Sequence, residues 1–145
     1  MNSKINYYQS KFDEIRGSND KEVYFEARII FNKYVNKNKR RQPYVRSKYF
    51  GGQKVFLSMF WKHLNQKSEK TRRQRIVFIK CAFDLIINSN TKPLFSDKHN
   101  GRKGEYYKFQ GMTRSGKKFA VQIKRDNNQN RLFMSCYPLK KFKDT

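Results

Sequence analysis

The apolar residues of this chain change period once. Up to about residue 90 they recur every three or four positions, and after about residue 105 they alternate. In the first region Val23, Ala27, Ile30 and Tyr34, flanked by Phe31 and Val35, mark one face of a helix. Asn19 and Glu22 have the spacing of a capping box ahead of it, so the helix is expected from Asn19 to about Asn36. Val55, Phe56, Met59, Phe60 and Leu64, broadened by Leu57 and Trp61, predict a second helix from about Gln53 to Asn65. Ile76, Ile79, Phe83 and Ile86, with Val77 and Leu85 beside them, predict a third from about Lys70 to Asn88. A weaker helical stretch covers residues 4–16 and stops at Gly17.

Beyond Pro93 and a polar connection, Ser96 to Gly104, the pattern is that of strands. Tyr107 and Phe109 alternate with Tyr106, Lys108 and Gln110. Phe119, Val121 and Ile123 alternate with Lys118, Ala120, Gln122 and Lys124. Leu132, Met134 and Cys136 alternate with Arg131, Phe133, Ser135 and Tyr137. The spacers MTRSG and DNNQN are turn chemistry. The expected fold class is therefore α+β, with N-terminal helices packed on one face of a C-terminal antiparallel β-meander. Residues 1–94 form the helical part and 95–145 the sheet, together one compact domain. The apolar sheet face meets the helices, and the other face carries Lys108, Gln122, Lys124, Arg131 and Ser135.

Charge adds a partner to this picture. The chain has 34 Lys+Arg against 11 Asp+Glu, a formal net charge of +23. The excess is +14 over residues 1–94 and +9 over residues 95–145, so it is no detachable tail. Such a field attracts polyanions, and nucleic acid leads because neutralising phosphates releases counterions. Two stretches concentrate the charge. One is the loop from Lys37 to Lys48, which holds Arg40, Arg41 and Arg46 and no acid. The other is the start of the third helix, with Lys70, Arg72, Arg73 and Arg75. Cations there oppose the helix dipole, which points to a use such as phosphate contact, against a plain solvated turn. No apolar run approaches the ~20 residues that span a bilayer, so no membrane partner and a cytoplasmic location are expected. Cys81 and Cys136 lack metal spacing and read as buried thiols of a reducing compartment.

The stretch Gly111 to Lys118, GMTRSGKK, comes within one residue of a phosphate-binding loop. Lys118 stands where such a loop needs a hydroxyl for magnesium, and the flanks are strands rather than a strand and a helix. A hairpin turn is the better reading. Metal sites are not expected either. His63 and His99 are far apart and acids are sparse. His63 itself, in a helix near Trp61, reads as structural. What remains is chemistry on RNA, whose own 2′-hydroxyl is the nucleophile, with a base, an acid and cations from the protein and no cofactor.

Phe109, Gly111, Thr113, Gly116, Phe119, Val121, Gln122, Ile123 and Lys124 form a F-x-G-x-T-x-x-G-x-x-F-x-V-Q-I-K hairpin, closed by a Ser135, Tyr137, Pro138 strand. Over roughly residues 95–140 this resembles the barnase–EndoU–colicin–RelE-like nuclease superfamily, whose members include phage and mobile-element proteins. The resemblance implies an RNA-cleaving, toxin-type enzyme that uses no metal. It implies a phosphate contact from Lys124, substrate orientation or protonation by Ser135 and Tyr137, and His99 as base with Arg102 beside it. No second histidine lies near His99 in sequence, so a scheme built on Lys, Arg and Tyr fits better than a two-histidine one. RNA would cross the basic sheet face and the basic loop, touching Arg40, Arg41, Arg46, Arg72, Arg73, Arg102, Lys108, Lys118, Gln122 and Arg131, with Tyr44 or Tyr49 stacking on bases. Two other readings stand beside it. One is a non-catalytic RNA- or DNA-binding subunit of a larger assembly, in mobile-element biology or phage defence. The other is a basic face that docks an acidic partner such as an antitoxin.

Overall fold

The computed structural model describes residues 6–34, 42–99 and 101–139, and of His99 and Arg102 the backbone alone. In chain order it has β1 (Tyr8–Gln9), α1 (Asp20–Tyr34), β2 (Tyr44–Ser47), β3 (Gln53–Phe56), α2 (Ser58–Asn65), α3 (Glu69–Ile76) and α4 (Ile79–Asn88). Then follow β4 (Leu94–His99), β5 (Arg102–Met112), β6 (Lys118–Arg125) and β7 (Arg131–Pro138). The fold is α+β, with four helices and one seven-stranded sheet among the described residues.

The expected meander is present at the centre of that sheet. β5, β6 and β7 pair antiparallel in sequence order. Around them the sheet is larger and mixed, in the order β1-β5-β6-β7-β3-β2, with β4 also on β5. β1 joins β5, and β3 joins β7, in parallel. Helices and strands thus interleave along the chain, and the division into a helical and a sheet half does not describe it.

The differences have local causes. Residues 4–16 were expected to be helical, but Tyr8 and Gln9 are extended beside Gly111 and Met112. Gln53–Phe56, expected to open the second helix, is instead a strand ending a hairpin with Tyr44–Ser47. Gly51 and Gly52 both have positive φ and turn that hairpin, so the glycine pair sits inside a β unit rather than ahead of a helix. The expected third helix is two. Ile76, Val77 and Phe78 are β-branched or aromatic, poor helix formers in a row. The helix breaks there, and the Val77 carbonyl accepts from Ile15 N–H at 2.8 Å instead of from its own helix. The segment before β5, expected as a polar connection, forms β4. The α1 helix follows expectation from its capping box onward. Glu22 N–H donates to Asn19 Oδ1 at 3.0 Å, and Ser18 N–H to Glu22 Oε2 at 2.7 Å. The expected last residues of that helix, Val35 and Asn36, lie outside the described residues.

GMTRSGKK is a hairpin. Thr113 N–H donates to Lys117 O at 2.8 Å, and Gly116 takes φ 96°, which favours glycine. Gly111 serves packing: a Cβ there would stand 2.6 Å from Phe119 Cζ.

Helices and sheet share one core. Val23, Ala27 and Phe31 of α1 join Phe83 and Leu85 of α4, and Phe109, Phe119, Val121, Ile123, Phe133 and Cys136 of the sheet. Rings order it: Phe60 of α2 stacks on Phe133 at 4.8 Å between centroids, and Phe78 on Phe119 at 5.5 Å. Both cysteines are buried thiols, and burial pushes the Cys81 thiol up to about 12. Among the described residues no helix is long and apolar enough to cross a membrane.

One charge lies inside this core. Asp84 of α4 is 2% exposed. Its carboxylate accepts from Ser10 Oγ at 2.8 Å, Lys11 N–H at 3.1 Å, Tyr8 Oη at 2.9 Å and Asn88 Nδ2 at 2.9 Å. Burial alone would raise its carboxyl pKa, but the four donors outweigh burial and hold it below the usual range. This node fastens β1 to α4. We predict that Asp84→Ala, which orphans those donors, lowers unfolding free energy by about 3 kcal/mol in urea titration. A depressed folded-state pKa means that Asp84 stabilises above its unfolded value and loses that contribution as pH falls through the folded one. Acid unfolding of the wild type should therefore include a loss, below the ordinary carboxylate range, that the variant lacks.

Candidate nucleic-acid interface

The outer sheet face is organised by one irregularity. β6 and β7 pair Gln122 with Ser135 but Ile123 with Phe133, which leaves Met134 as an extra residue. This β-bulge shifts the alternation of β7 by one. After it, Ser135 and Tyr137 face outward and Cys136 inward; before it, Phe133 points into the core and Leu132 outward. Strict alternation had placed Phe133 with Ser135 and Met134 with Cys136, and the bulge corrects both.

Outward from the bulge lies a groove of about 630 Å³. Its floor is Tyr106 of β5, Gln122 and Lys124 of β6, and Met134, Ser135 and Tyr137 of β7. Its wall comes from α2, the turn that follows it and the last turn of α3: Met59, His63, Gln66, Lys67 and Arg75. Met59, His63 and Gln66 form one helical stripe, while Phe60, Trp61 and Leu64 on the other side of α2 are buried. Two cross-strand rows set the floor. Lys108, Gln122 and Ser135 align across β5, β6 and β7, as do Tyr106, Lys124 and Leu132.

Arg75 connects wall and floor. Its Nη1 donates to Ser135 Oγ at 2.7 Å, and its guanidinium lies 5.5 Å from the Tyr137 ring centre. Lys108 Nζ is 5.9 Å from the same ring, and Lys124 Nζ 5.7 Å from that of Tyr106. Burial raises the Tyr137 phenol, and the Arg75 charge opposes that rise without cancelling it. Among the described residues no carboxylate lines the groove, whereas Asp13, Glu14, Glu22 and Glu26 gather in a separate cleft with Phe12 and Phe25. Cations facing a groove without acids attract anions rather than one another's counter-charges. Among the described residues no three His, Cys, Asp or Glu side chains come together as a metal cluster.

Of the residues picked from sequence, Lys124, Ser135, Tyr137 and Gln122 meet in this groove, with Lys108 in the adjoining row. The others go elsewhere. The backbones of His99 and Arg102 pair with each other at the tip of the β4–β5 hairpin. Arg131 lies before the bulge and so turns to the core side, where its guanidinium sits 4.4 Å from the Phe50 ring centre and bonds Gln53. Tyr49 packs on Phe50 and Phe109 at the same side. Arg73 ties α3 to α1, with Nη1 2.8 Å from Asp20 Oδ1 and Nη2 donating to Gly17 O. Arg72 lines a cleft with Asp20 and Glu69. Lys118 is exposed, its ammonium 4.7 Å from the Tyr7 ring centre. Arg46 donates to Gly52 O at 3.0 Å on the β2–β3 hairpin. Arg40 and Arg41 lie outside the described residues.

The conflict with the helix dipole is lifted for two of the four cations, Arg73 and Arg75, while Lys70 and Arg72 stay in the first turn. Because the helix breaks after Ile76, Arg73 and Arg75 occupy the last turn of α3, where cations are favoured, and Glu69 its first. His63, read from sequence as structural, stands in the groove wall. Its signal was the i, i+4 spacing from Met59 through His63 to Lys67, a stripe distinct from the apolar one. Comparison with protein-family models, curated proteins and solved structures finds no match to this chain.

The electrostatics of the groove are directly testable. Removing the guanidinium in Arg75→Ala should raise the Tyr137 phenol further, since the Arg75 charge that opposes burial is then gone. Spectrophotometric titration, differenced against Tyr137→Phe, should show that phenol ionising later in the variant. An earlier ionisation would contradict the contact.

Proposed function

We propose that this protein is a metal-independent endoribonuclease of toxin type that acts in the cytoplasm, with RNA lying in the groove between α2, α3 and the outer sheet face. The observation that carries the reading is the convergence of His63, Arg75, Lys124 and Tyr137 on one groove that, among the described residues, no carboxylate lines. The resemblance of the β5–β6 hairpin and the closing β7 strand to the barnase–EndoU–colicin–RelE-like nucleases supports it, as does the +23 charge.

The chemistry follows from what these groups can do. The 2′-oxygen of the substrate attacks phosphorus while the P–O5′ bond breaks, leaving a 2′,3′-cyclic phosphate and a free 5′-hydroxyl. His63 accepts the 2′-hydroxyl proton, the role for which imidazole is best suited near neutrality. Lys124 and Arg75 balance the charge that builds on the phosphoryl oxygens. Tyr137 keeps its proton through the neutral range and gives it to the leaving O5′, a far stronger base than a phenolate. The imidazolium proton returns to Tyr137 through solvent. Ser135, held by Arg75, and Gln122 orient the phosphate. His63 thereby takes the role first expected of His99.

The test is RNA incubated with the protein in excess EDTA. Cleavage with cyclic-phosphate ends is expected. His63→Ala should lower the rate by on the order of a hundredfold or more. Lys124→Ala and Tyr137→Phe should each lower it by roughly tenfold or more, with unchanged thermal midpoints. Arg73→Ala should do the reverse, reducing the midpoint and leaving the rate per folded molecule intact. RNA that stays whole while binding tightly would remove the enzyme and leave the second reading, a non-catalytic nucleic-acid-binding subunit.

A further inference from the structure

The row that crosses the groove floor does not stop at its edge. Tyr106 pairs with Lys124, Lys124 with Leu132, Leu132 with Phe56, and Phe56 with Tyr44. These five residues lie in one line across β5, β6, β7, β3 and β2. Four inter-strand steps of about 4.8 Å make that line roughly 19 Å long. Its far end opens into a second hollow of about 570 Å³, lined by Tyr44, Lys54, Phe56, Asn130 and Leu132. Met59 of α2 lines this hollow and the groove alike, so the two adjoin across a single side chain.

The hollow has a different chemistry from the groove. Tyr44 and Phe56 meet edge to face at 6.2 Å between ring centres. Lys54 Nζ lies 4.6 Å from the Tyr44 ring centre and the Arg46 guanidinium 5.7 Å from it. Arg46 and Lys54 are themselves paired across β2 and β3. A half-buried ring with two cations beside it is what a single-stranded polynucleotide needs from a surface: a π-face for a base and charges for the phosphates on either side. Asp126 also reaches the hollow, but its Oδ1 is engaged by the N–H groups of Asn128 and Asn130 at 2.9 Å each, as part of the β6–β7 turn.

We infer that this hollow is a second subsite, which takes the base of a neighbouring nucleotide of the RNA bound in the groove and stacks it on Tyr44. The strand crosses the sheet at right angles to its β-strands, over Met59 and Leu132. Lys54 and Arg46 swing from the ring to the linking phosphates. The substrate is then a single-stranded run of several nucleotides, and affinity depends on its length. The inference rests on the groove being an RNA site and not on its cleaving RNA.

The test uses 2′-O-methyl oligonucleotides, which bind but cannot be cut. Fluorescence anisotropy with probes from two to eight nucleotides long, at one fixed salt concentration, gives affinity against length. Wild type should bind the long probes more tightly than the dinucleotide. Tyr44→Ala should lose roughly tenfold on the long probes and almost nothing on the dinucleotide, and Tyr44→Phe should restore the loss. Tyr44→Trp gives a readout independent of folding losses. Its added indole fluorescence should be quenched by long probes and not by the dinucleotide. Equal losses at every length, or an indole signal that stays unquenched in the Tyr44→Trp variant with long probes bound, would overturn the subsite. Tyr44-dependent binding to a protein that leaves natural RNA intact would keep the subsite and remove the ribonuclease.

Discussion

β7 carries one residue more, between Phe133 and Ser135, than β6 can pair. In a strand of strict alternation Phe133 and Ser135 would share a face, and one would be misplaced. A phenyl ring in the groove would lose its stack on Phe60, and a serine in the core would have no access to Arg75. The bulge at Met134 lets one short strand serve an apolar interior before it and a polar face after it. It also fixes the partners. Phe133 is held by Phe60 of α2, and Cys136 Sγ donates to the Arg75 carbonyl of α3 at 3.2 Å. The same two helices that clamp the inner side of β7 supply the wall of the groove on its outer side. Packing and site are thus set by one contact region.

The distribution of charge follows the same economy. At +23 the molecule repels itself, and the surface must keep cations apart or give them rings and carbonyls to rest on. Several do so. Arg28 lies over Trp61 at 3.8 Å, Lys80 near Phe12 at 4.3 Å, and Arg131 over Phe50 at 4.4 Å. The ion pairs among the described residues, Arg73 with Asp20, Lys117 with Glu14 and Arg125 with Glu105, lie outside the groove. Neither Arg75 nor Lys124 takes part in any of these three pairs.

Much of the fold was legible in the sequence where a segment's period was long and its turn chemistry explicit. The α1 helix with its capping box, the β5–β6–β7 meander, both hairpin turns and the dismissal of a phosphate loop at GMTRSGKK all came from such signals. Short strands were not legible. β1 and β3 have no alternation to read, because each is completed by a partner far along the chain. β4 is an edge strand rich in polar residues, so from sequence most of it reads as a connection. The site was half legible. Lys124, Ser135, Tyr137 and Gln122 share the polar phase of two strands, so alternation brought them together. His63 and Arg75 reach the same groove from helices, and no periodicity says which sheet a helical stripe will face. Arg131 was misassigned because a bulge leaves no mark in the alternation of apolar letters.

The two parallel pairings have a consequence for how the molecule comes into being. Gln9 Nε2 donates to Thr113 O across 104 positions, and Val55 lies against Arg131. A nascent chain can wind α1 and close the β2–β3 hairpin early, since those contacts are local. It cannot seat β1 until β5 has been made, nor β3 until β7 follows. The floor of the groove consists wholly of these late strands. During synthesis the basic chain therefore carries local structure before it carries a groove, whose floor is complete only after residues 131–138 have emerged.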